Sequence, residues 1–409
     1  MPGELVLSSH FQPIYSLAHR RAVGYEGLVR ARDPDGRPIT PAELFVRAPL
    51  GEARVVMDRR CRELHVRNFT RTGDAGSWLF LNVDPYVAAN GRRWGSFFAE
   101  MLRDSGFAPH RVAIELTESQ LENEAPLDQA LDYYRSLGCL IAIDDFGAGQ
   151  SNFDRIWRVR PDIVKIDREM TRRVGVEPLA RRMFTGIVSL LHEAGALVCV
   201  EGIETETEAL CAIDANADLM QGYLFAPPAA ELPPADLCRH VFTRLFAGFQ
   251  AEAAEYRHRR RDELKPYLAK LDAAVGAICA GELYEVAVRP LLALDCTQRC
   301  YLIAGDGSQL GANLEAERNA SARDPRLEPM LPRGGTSWQT KPYFRRAVDA
   351  PGHIQITRPY LSVTGPRQCV TLSLAFVAEG GLCVLCADLD FAALAGEDLS
   401  FGAAAVNEV

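Results

Sequence analysis

Short apolar runs alternate with amphipathic stretches along roughly the first 230 residues of the chain. The stretches between the runs, such as PAELFVRAPL and LARRMFTGIVSLLHEAG, space their apolar residues as one face of a helix does. Eight runs have the length and composition of strands: residues 11–17, 23–29, 78–83, 112–116, 140–143, 163–166, 197–200 and 220–225. Eight strands with helical crossovers predict an α/β fold, a (β/α)8 TIM-type barrel. Runs without alternation, such as LIAI, suit strands that are buried on both faces.

The pattern changes after Pro233. Residues 235–276 are almost all compatible with helix, with a kink candidate at Pro266 and a basic run at 257–261 that we interpret as a solvated helix face. Strands return at Gln298, where CYLIAGDGSQLG predicts a hairpin, and three later segments alternate as an antiparallel sheet does. The sequence therefore predicts a barrel at 1–234, linking helices at 235–280 and a smaller α+β domain at 281–409.

Composition narrows the class of protein. The chain has 409 residues, 48% of them apolar, and a formal net charge of -9, which gives no reason to expect binding of polymeric nucleic acid. It contains no apolar run long enough to span a membrane, and its start does not resemble a signal peptide. Eleven irregularly spaced cysteines fit reduced, mostly buried thiols. We expect a cytoplasmic protein.

Each predicted barrel strand carries or adjoins a polar residue. In chain order these are Gln12, Glu26, Asn82, Glu115, Asp144 with Asp145, Lys165, Glu201 and Gln221. For a single one of them a structural role is the simpler explanation, such as a turn cap for Asn82. Together they would converge on one end of the barrel, where barrel active sites lie. Five carboxylates in one place are costly without a ligand or metal, so we interpret the ring as a site.

The chemistry of this ring favours a hard cation. Carboxylates and an amide oxygen suit Mg2+ or Mn2+, and the absence of histidine argues against zinc. Acidic clusters that hold two metal ions commonly clamp a phosphodiester for in-line attack by an activated water.

At these positions the sequence resembles the EAL family of cyclic di-GMP phosphodiesterases. The signature ExLxR stands here as Glu26, Leu28 and Arg30. Further motifs match as FLNVDP, IELTES, IDDFGAGQS, PDIVKID, VEGIET and QGYLFAPP, which together span about residues 8–230. The resemblance implies hydrolysis of cyclic di-GMP to linear pGpG with two Mg2+ or Mn2+ ions.

The resemblance also implies a role for each residue. Glu26, Asn82, Glu115 and Asp144 would bind the first metal, with Asp144 bridging to a second that Asp145 also binds. Lys165 would hold the attacking water or a phosphoryl oxygen, and Glu201 would be the base or its metal-linked partner. Glu118 would tether the loop after Asp145, linking metal binding to a dimer interface. Gln12, Leu28 and Arg30 would contact substrate, while Gln221 would position the site.

Two positions depart from the family pattern. Gly27 stands where the motif usually has alanine, and Gln150 where the loop usually has an aromatic residue. Neither is a metal ligand, so we expect a small effect on affinity or rate. Apolar side chains in SNFDRIWRV, which follows this loop, either pack in the core or form a patch for a homodimer.

The last 129 or so residues resemble a PAS- or Cache-type sensory domain. The resemblance rests on Trp338, Tyr343, Phe344, the phrase TRPYLSVTG and Asp388. With Lys341 and Arg345 nearby, these aromatics either line a pocket for a small polar ligand or belong to the core. Cys296, Cys300, Cys383 and Cys386 either form a four-thiolate metal site or are reduced buried thiols.

Three functions remain open at this point. The chain is either a cyclic di-GMP phosphodiesterase regulated by its C-terminal domain, a cyclic di-GMP receptor with little or no activity, or a scaffold that recruits a diguanylate cyclase. Because every matched metal ligand is present, the enzyme is favoured.

Overall fold

The chain forms two compact units, Met1–Gln250 and Ala251–Val409. A computed structural model describes residues 5–90, 96–117, 124–149, 153–317, 336–362, 368–378 and 380–395. Among these residues no helix has both the length and the apolarity that crossing a bilayer requires.

The first unit is an α/β barrel. Its strands are β1 (Val6–Ser16), β2 (Arg21–Arg32), β3 (Pro38–Ile39), β4 (Trp78–Asn82), β5 (Val112–Thr117), β6 (Leu140–Phe146), β7 (Ile163–Ile166), β8 (Leu197–Val200) and β9 (Leu219–Met220). Its helices are α1 (Pro41–Val46), α2 (Glu52–Thr70), α3 (Pro85–Asn90), α4 (Phe97–Ser105), α5 (Glu124–Ser136), α6 (Phe153–Val159), α7 (Arg168–Val176), α8 (Pro178–Glu193) and α9 (Glu206–Asp214). Local sequence explains several boundaries: Thr40 and Thr205 begin α1 and α9 with capping boxes to Glu43 and Glu208.

Eight strands close the barrel, which confirms the predicted fold class. Their order is β1-β9-β8-β7-β6-β5-β4-β2, and β1 also pairs with β2. All neighbours are parallel except that β1 runs antiparallel to both β2 and β9. The prediction of a helical crossover after every strand is therefore wrong at the start, where a tight turn joins β1 to β2. The eighth strand is also shorter than predicted, because only Leu219 and Met220 are strand.

The barrel buries apolar residues on both faces of its strands. Alternate residues of β4 to β9 pack outward against the helices, among them Leu79, Ile114 and Val164. The residues between them fill the inside of the barrel with a single apolar layer: Ile14, Phe80, Ala113, Ala142, Ile163, Cys199 and Leu219. This double burial explains why runs such as LIAI lack alternation.

One long helix, α10 (Arg239–Cys279), continues through Pro266 without interruption. Phe242 and Leu245 near its start belong to the core of the first unit, and Leu264 and Leu271 near its end belong to the core of the second. The division of the chain at 234 and 280 stays a prediction. Within the basic run Arg260 is buried, so the interpretation of the run as wholly solvated is wrong there.

The second unit is built on an antiparallel sheet. After α11 (Tyr284–Ala287) and α12 (Arg289–Leu292) come β10 (Thr297–Ala304), β11 (Gln309–Glu315), α13 (Pro342–Asp349), β12 (Gln355–Ile356), β13 (Tyr360–Leu361), β14 (Gln368–Ala378), β15 (Gly381–Asp390) and α14 (Phe391–Ala395). The strand order is β11-β10-β15-β14-β12, and β13 also pairs with β14. The predicted hairpin is β10–β11. The PAS- or Cache-type identity stays a prediction.

All eleven thiols are free and ten of them are buried. Within the described part of the chain, the residues that approach one another closely enough to hold a metal ion do not include any cysteine. In the pairing of β10 with β15, Cys300 lies opposite Ala387 and Cys386 lies opposite Tyr301, so the two cysteines are not opposite each other. The four-thiolate metal site is therefore wrong, and buried reduced thiols remain.

Candidate active site at the barrel mouth

The site residues share one spacing along their strands, two positions from the apolar layer inside the barrel. Glu115, Asp144, Lys165, Glu201, Gln221 and Asn82 each follow by two positions a residue of the apolar layer inside the barrel. Since side chains of a strand point to the same face at every second residue, all six rise above that layer toward the carboxyl ends of the strands. Gln12 precedes its layer residue, Ile14, by two positions, because β1 runs the other way.

Lys165 occupies the centre of this arrangement. Its side chain is fully buried, and its Nζ lies within ion-pair distance of four carboxylates. The distances are 2.5 Å to Glu115 Oε1, 2.5 Å to Glu201 Oε1, 3.3 Å to Asp144 Oδ1 and 3.4 Å to Glu26 Oε2. One ammonium therefore serves as counter-ion to four acids that would otherwise repel one another.

The electrostatics of the cluster reflect this shortage of positive charge. Burial raises the pKa of Glu115 well above its ordinary value, and the negative charge of Glu26 raises it further. Burial also raises the pKa of Glu201 well above its ordinary value, against the opposing charge of Lys165. Burial alone would lower the pKa of Lys165, but the surrounding carboxylates hold it well above its ordinary value. The ammonium is thus fixed, and the acids compete for it.

The adjacent acids Asp144 and Asp145 lie at an irregularity in β6. The pairing of β6 with β7 shifts register between Ile143 and Phe146, and Asp145 has a φ of 55°. Successive residues of a regular strand point to opposite faces, so this kink allows both carboxylates to approach one place. Carboxylate oxygens of Asp144, Asp145 and Glu201 lie within 4.8 Å of one another. Burial raises the pKa of Asp145 to about 6, and the charge of Asp144 adds to the effect.

Amide side chains hold Glu26 in place. Gln221 Nε2 donates to Glu26 Oε2 at 2.8 Å and contacts Gln12 Oε1 at 3.2 Å. Asn82 Nδ2 donates to Glu26 Oε1 at 2.9 Å. Burial would raise the pKa of Glu26, but the charge of Lys165 and these hydrogen bonds lower it. Glu26 is consequently the acid of the cluster that stays ionised most readily.

A close backbone approach positions Gln221. A methyl group on Gly222 would lie 2.0 Å from the carbonyl oxygen of Ile203. With glycine at this position, the backbone amide of Ile203 donates to Gln221 O at 3.1 Å. The amide of Leu224 donates to Ile203 O at 3.0 Å. Glycine at 222 therefore lets the loops after β8 and β9 pack together, which brings Glu201 and Gln221 to the same rim.

The structure brings together eight of the predicted site residues directly, and Asp145 through the group it forms with Asp144 and Glu201. Leu28 and Arg30 follow Glu26 on the same face of β2 and are half-buried; Arg30 Nη1 donates to Val29 O at 3.0 Å. Their contact with substrate stays a prediction. Glu118 and Gln150 lie outside the described residues.

Sequence reasoning missed two groups that support the site. His65, on α2, packs against Gly27, and its Nδ1 lies 2.9 Å from Ser9 Oγ. Asp58, also on α2, accepts a hydrogen bond at 3.0 Å from the amide of Asp84, two residues after Asn82. Neither residue belongs to a motif, and both act on positions that are distant in sequence, so local patterns gave no signal.

The residues at the mouth fit divalent cations. Both oxygens of Glu115 and Oε1 of Gln221 are buried without a hydrogen-bond partner within the described part of the chain, although Lys165 pairs with Glu115 by charge. Rotating the Asn82 amide by half a turn would present its oxygen to the cluster instead of its nitrogen. Acids and amide oxygens in excess of the available donors are the ligand set of a hard cation.

Comparison with known proteins identifies a family model and several relatives. The model described as the EAL domain matches residues 5–228, more than half of the chain. The chain is 25% identical over 344 residues to YkuI of Bacillus subtilis, an uncharacterized EAL-domain containing protein, and the match covers 82% of each. It is 31% identical over 162 residues to the cyclic di-GMP phosphodiesterase RocR of Pseudomonas aeruginosa, covering 39% of this chain and 41% of RocR.

Solved structures agree on the fold. The crystal structure of YkuI in complex with cyclic di-GMP and calcium superposes with a TM-score of 0.80 over 94% of this chain and 96% of that one, at 22% identity. A manganese and cyclic di-GMP complex of BlrP1 from Klebsiella pneumoniae gives a TM-score of 0.51 at 26% identity, covering 56% of this chain and 57% of BlrP1. The chain covers between 27% and 44% of the length of seven other curated relatives.

Proposed function

Because this chain belongs to the EAL-domain family, we propose that it is a phosphodiesterase that hydrolyses cyclic di-GMP to linear pGpG with divalent cations. The observation that carries the proposal is the buried ring of acids around Lys165 at the barrel mouth. The named function of RocR and the cyclic di-GMP complexes of YkuI and BlrP1 support the choice of substrate.

Charge balance supports two cations. Glu26, Glu115, Asp144, Asp145 and Glu201 with the ammonium of Lys165 give a formal charge of minus four, which two divalent ions would neutralise. Glu26, Asn82, Glu115 and Asp144 would hold one ion, and Asp144 with Asp145 the other, Mg2+ or Mn2+ by the hardness of the oxygen ligands. When bound, such ions polarise the phosphoryl oxygens and acidify water.

The chain's own residues would bind the diester and move the proton. Lys165 can donate a hydrogen bond to a phosphoryl oxygen once cations relieve it of part of its carboxylate partners. Glu201, whose pKa burial raises, is suited to accept a proton from the attacking water near neutral pH. Gln221 fixes the carboxylate of Glu26 and is itself contacted by Gln12, and Arg30 offers a guanidinium for the second phosphate of the substrate.

Three further properties belong to this proposal. The free and mostly buried thiols support a cytoplasmic location, where cysteines stay reduced. Trp157, which is 69% exposed on α6, and Phe153 supply an apolar patch for a homodimer. The second unit would regulate hydrolysis.

The direct test is to incubate the purified full chain with cyclic di-GMP and Mg2+ or Mn2+ and to detect pGpG by chromatography. Glu115→Gln and Lys165→Met should each lower turnover by orders of magnitude, since each removes a charge at the centre of the cluster. Lys270→Met, on the exposed face of α10, is the matched control and should leave the rate unchanged.

Two outcomes would contradict the proposal. Turnover that persists in EDTA would exclude the cations. Tight binding of cyclic di-GMP without pGpG, in either metal, would instead make the chain a receptor.

A further inference from the structure

The second unit contains a cavity that the proposed function does not use. It lies beside β10, β13, β15 and α13 and opens to solvent, so that its empty volume of about 310 Å³ includes solvent at the mouth. Charged residues and aromatic rings line it together: Arg299, Tyr301, Lys341, Tyr343, Tyr360 and Asp388. The sequence left open whether these aromatics line a pocket or form the core. Tyr343 does both, whereas Phe344 belongs to the core alone.

A fixed polar network forms one side of the cavity. Arg299 Nε donates to Asp388 Oδ2 at 2.9 Å, and both side chains are almost fully buried. Asp388 Oδ1 accepts hydrogen bonds from Thr371 at 2.7 Å and from Tyr301 at 3.3 Å. Both oxygens of Asp388 are therefore engaged, so this acid is unavailable to neutralise a cationic ligand.

The positively charged groups around the cavity retain donors that the described residues do not use. Arg299 donates through Nε and Nη2, to Asp388 and Ser362, which leaves Nη1 without a hydrogen bond among the described residues. Lys341 is half-buried, and its ammonium has no ion pair or hydrogen bond in the part of the chain that the structure describes. Two cations and one acid give the lining a formal charge of plus one, which favours a ligand with a single negative charge.

The walls favour an apolar body on that ligand. The rings of Tyr343 and Tyr360 are stacked with their centroids 6.3 Å apart, and Tyr301 lies 6.0 Å from Trp338. Trp338 Nε1 already donates to Gln309, and the Tyr360 hydroxyl bonds to Thr371, so the rings present mainly carbon surface.

We propose that this cavity binds a small monocarboxylate. The carboxylate pairs with Lys341 and with the unused Nη1 of Arg299, whose planar guanidinium matches its geometry. The apolar part of the ligand lies against the rings of Tyr343 and Tyr360. This inference goes beyond hydrolysis at the barrel mouth and does not depend on it.

The test compares charged and neutral molecules of the same shape. Acetate, propionate and benzoate are titrated into the full chain by calorimetry and in thermal melts, alongside acetamide, propionamide and benzamide. We expect at least one carboxylate to bind and raise the melting temperature, while its amide does not, because only the carboxylate balances the positive lining. Neither cyclic di-GMP nor metal is present, so the result is independent of the proposed hydrolysis.

Two variants locate the site. Lys341→Met should weaken carboxylate binding by about tenfold or more, because it removes a charged partner and keeps most of the side-chain volume. Arg345→Met, on the exposed face of the same helix α13, is the matched control and should bind like the unaltered chain. The melting temperature of each variant without ligand shows that it is folded. Equal binding of carboxylate and amide, unchanged affinity in Lys341→Met, or no binding by any of the three acids would overturn the proposal.

Discussion

A single methyl group separates Gly27 from the alanine that the family motif has at this position. From the sequence we expected only a small effect of this glycine on affinity or rate. In the structure the space is filled, because a β-carbon on Gly27 would lie 2.9 Å from Cγ of His65 and 3.1 Å from its Cβ. His65 is buried and bonded to Ser9, so it cannot move aside freely. The two residues have to be considered as a pair.

Restoring the motif's alanine should therefore harm this protein. We expect Gly27→Ala to lower the free energy of unfolding by about 1–3 kcal/mol, as overpacking of a core does. The double variant Gly27→Ala with His65→Ala should be more stable than the sum of the single changes predicts, because the clash disappears. Urea unfolding of the four proteins measures the coupling.

Gly76→Ala is the control for this cycle, since a β-carbon there would meet nothing within 4 Å. Strict additivity of the two single changes would show that His65 and Gly27 do not compete for the same space.

His65 should also make the stability of the barrel depend on pH. Burial lowers its pKa from 6.5 to about 4; the charge of Glu26 opposes this shift and that of Arg30 adds to it. Between these two values the unfolded chain binds a proton that the folded chain does not. The stabilisation is therefore complete above pH 6.5 and is lost as the pH falls toward 4, by about 3 kcal/mol.

The measurement is urea unfolding at several pH values for the unaltered chain and for His65→Gln. The loss of stability between pH 6.5 and pH 4 should be smaller in the variant. Acids that titrate in the same range are present in both proteins, so the difference between the two losses is the contribution of His65. His240→Gln, at an exposed position on α10, should follow the unaltered chain. Parallel curves for all three proteins would contradict the assignment.

At the scale of elements, helix α2 supports the loop that follows β4. Asp58 and Arg62 form a buried ion pair one turn apart, and Arg62 also donates to the hydroxyl of Tyr134. The other oxygen of Asp58 accepts from the amide of Asp84. The turn after Asn82 is thus held from behind by a helix that contributes nothing to the mouth directly.

Removing the cation from this pair should be costly. Arg62→Met leaves Asp58 buried without its counter-ion, and we expect a loss of about 3–5 kcal/mol in the free energy of unfolding. Asp58→Asn with Arg62→Met should recover part of it, because no buried charge is left. Glu63→Gln, the exposed neighbour on α2, is the control. A change below 1 kcal/mol in thermal or urea unfolding would show that the pair is dispensable.

The elements also show what a sequence can and cannot predict here. The runs at 140–143 and 163–166 became part of strands β6 and β7 because their apolar residues suit burial on both faces. Asp144, directly after the first run, and Lys165, within the second, became part of the site. The antiparallel direction of β1 could not be predicted, since an alternating pattern reads the same in both directions. The contact of His65 with Gly27 joins residues from separate elements, and only the folded chain reveals it.

At the scale of the whole molecule, the proposed homodimer gives a test of the surface. Trp157 is 69% exposed and Phe153 36% exposed on α6, which begins four residues after Gly149 of the site loop. A buried tryptophan commonly dominates the energy of an interface. We expect Trp157→Ser to weaken association by about tenfold or more in light scattering at micromolar concentrations.

Leu190→Ser is the control, because Leu190 is also exposed, at 41%, but lies on α8. A monomeric unaltered chain, or dimers of equal strength in both variants, would remove α6 as the interface.

The two edges of the antiparallel strand β1 find their partners at different times during synthesis on the ribosome. It pairs with β2, which follows at once, and with β9, whose two residues are made about 190 residues later. At about 5–20 residues per second, the hairpin waits about 10–40 s with the other edge of β1 unpaired. During that interval this edge is a template for wrong pairing. The contact between Gln12 and Gln221 completes the mouth only when the barrel closes, so a nascent chain acquires the cluster of acids around Lys165 last.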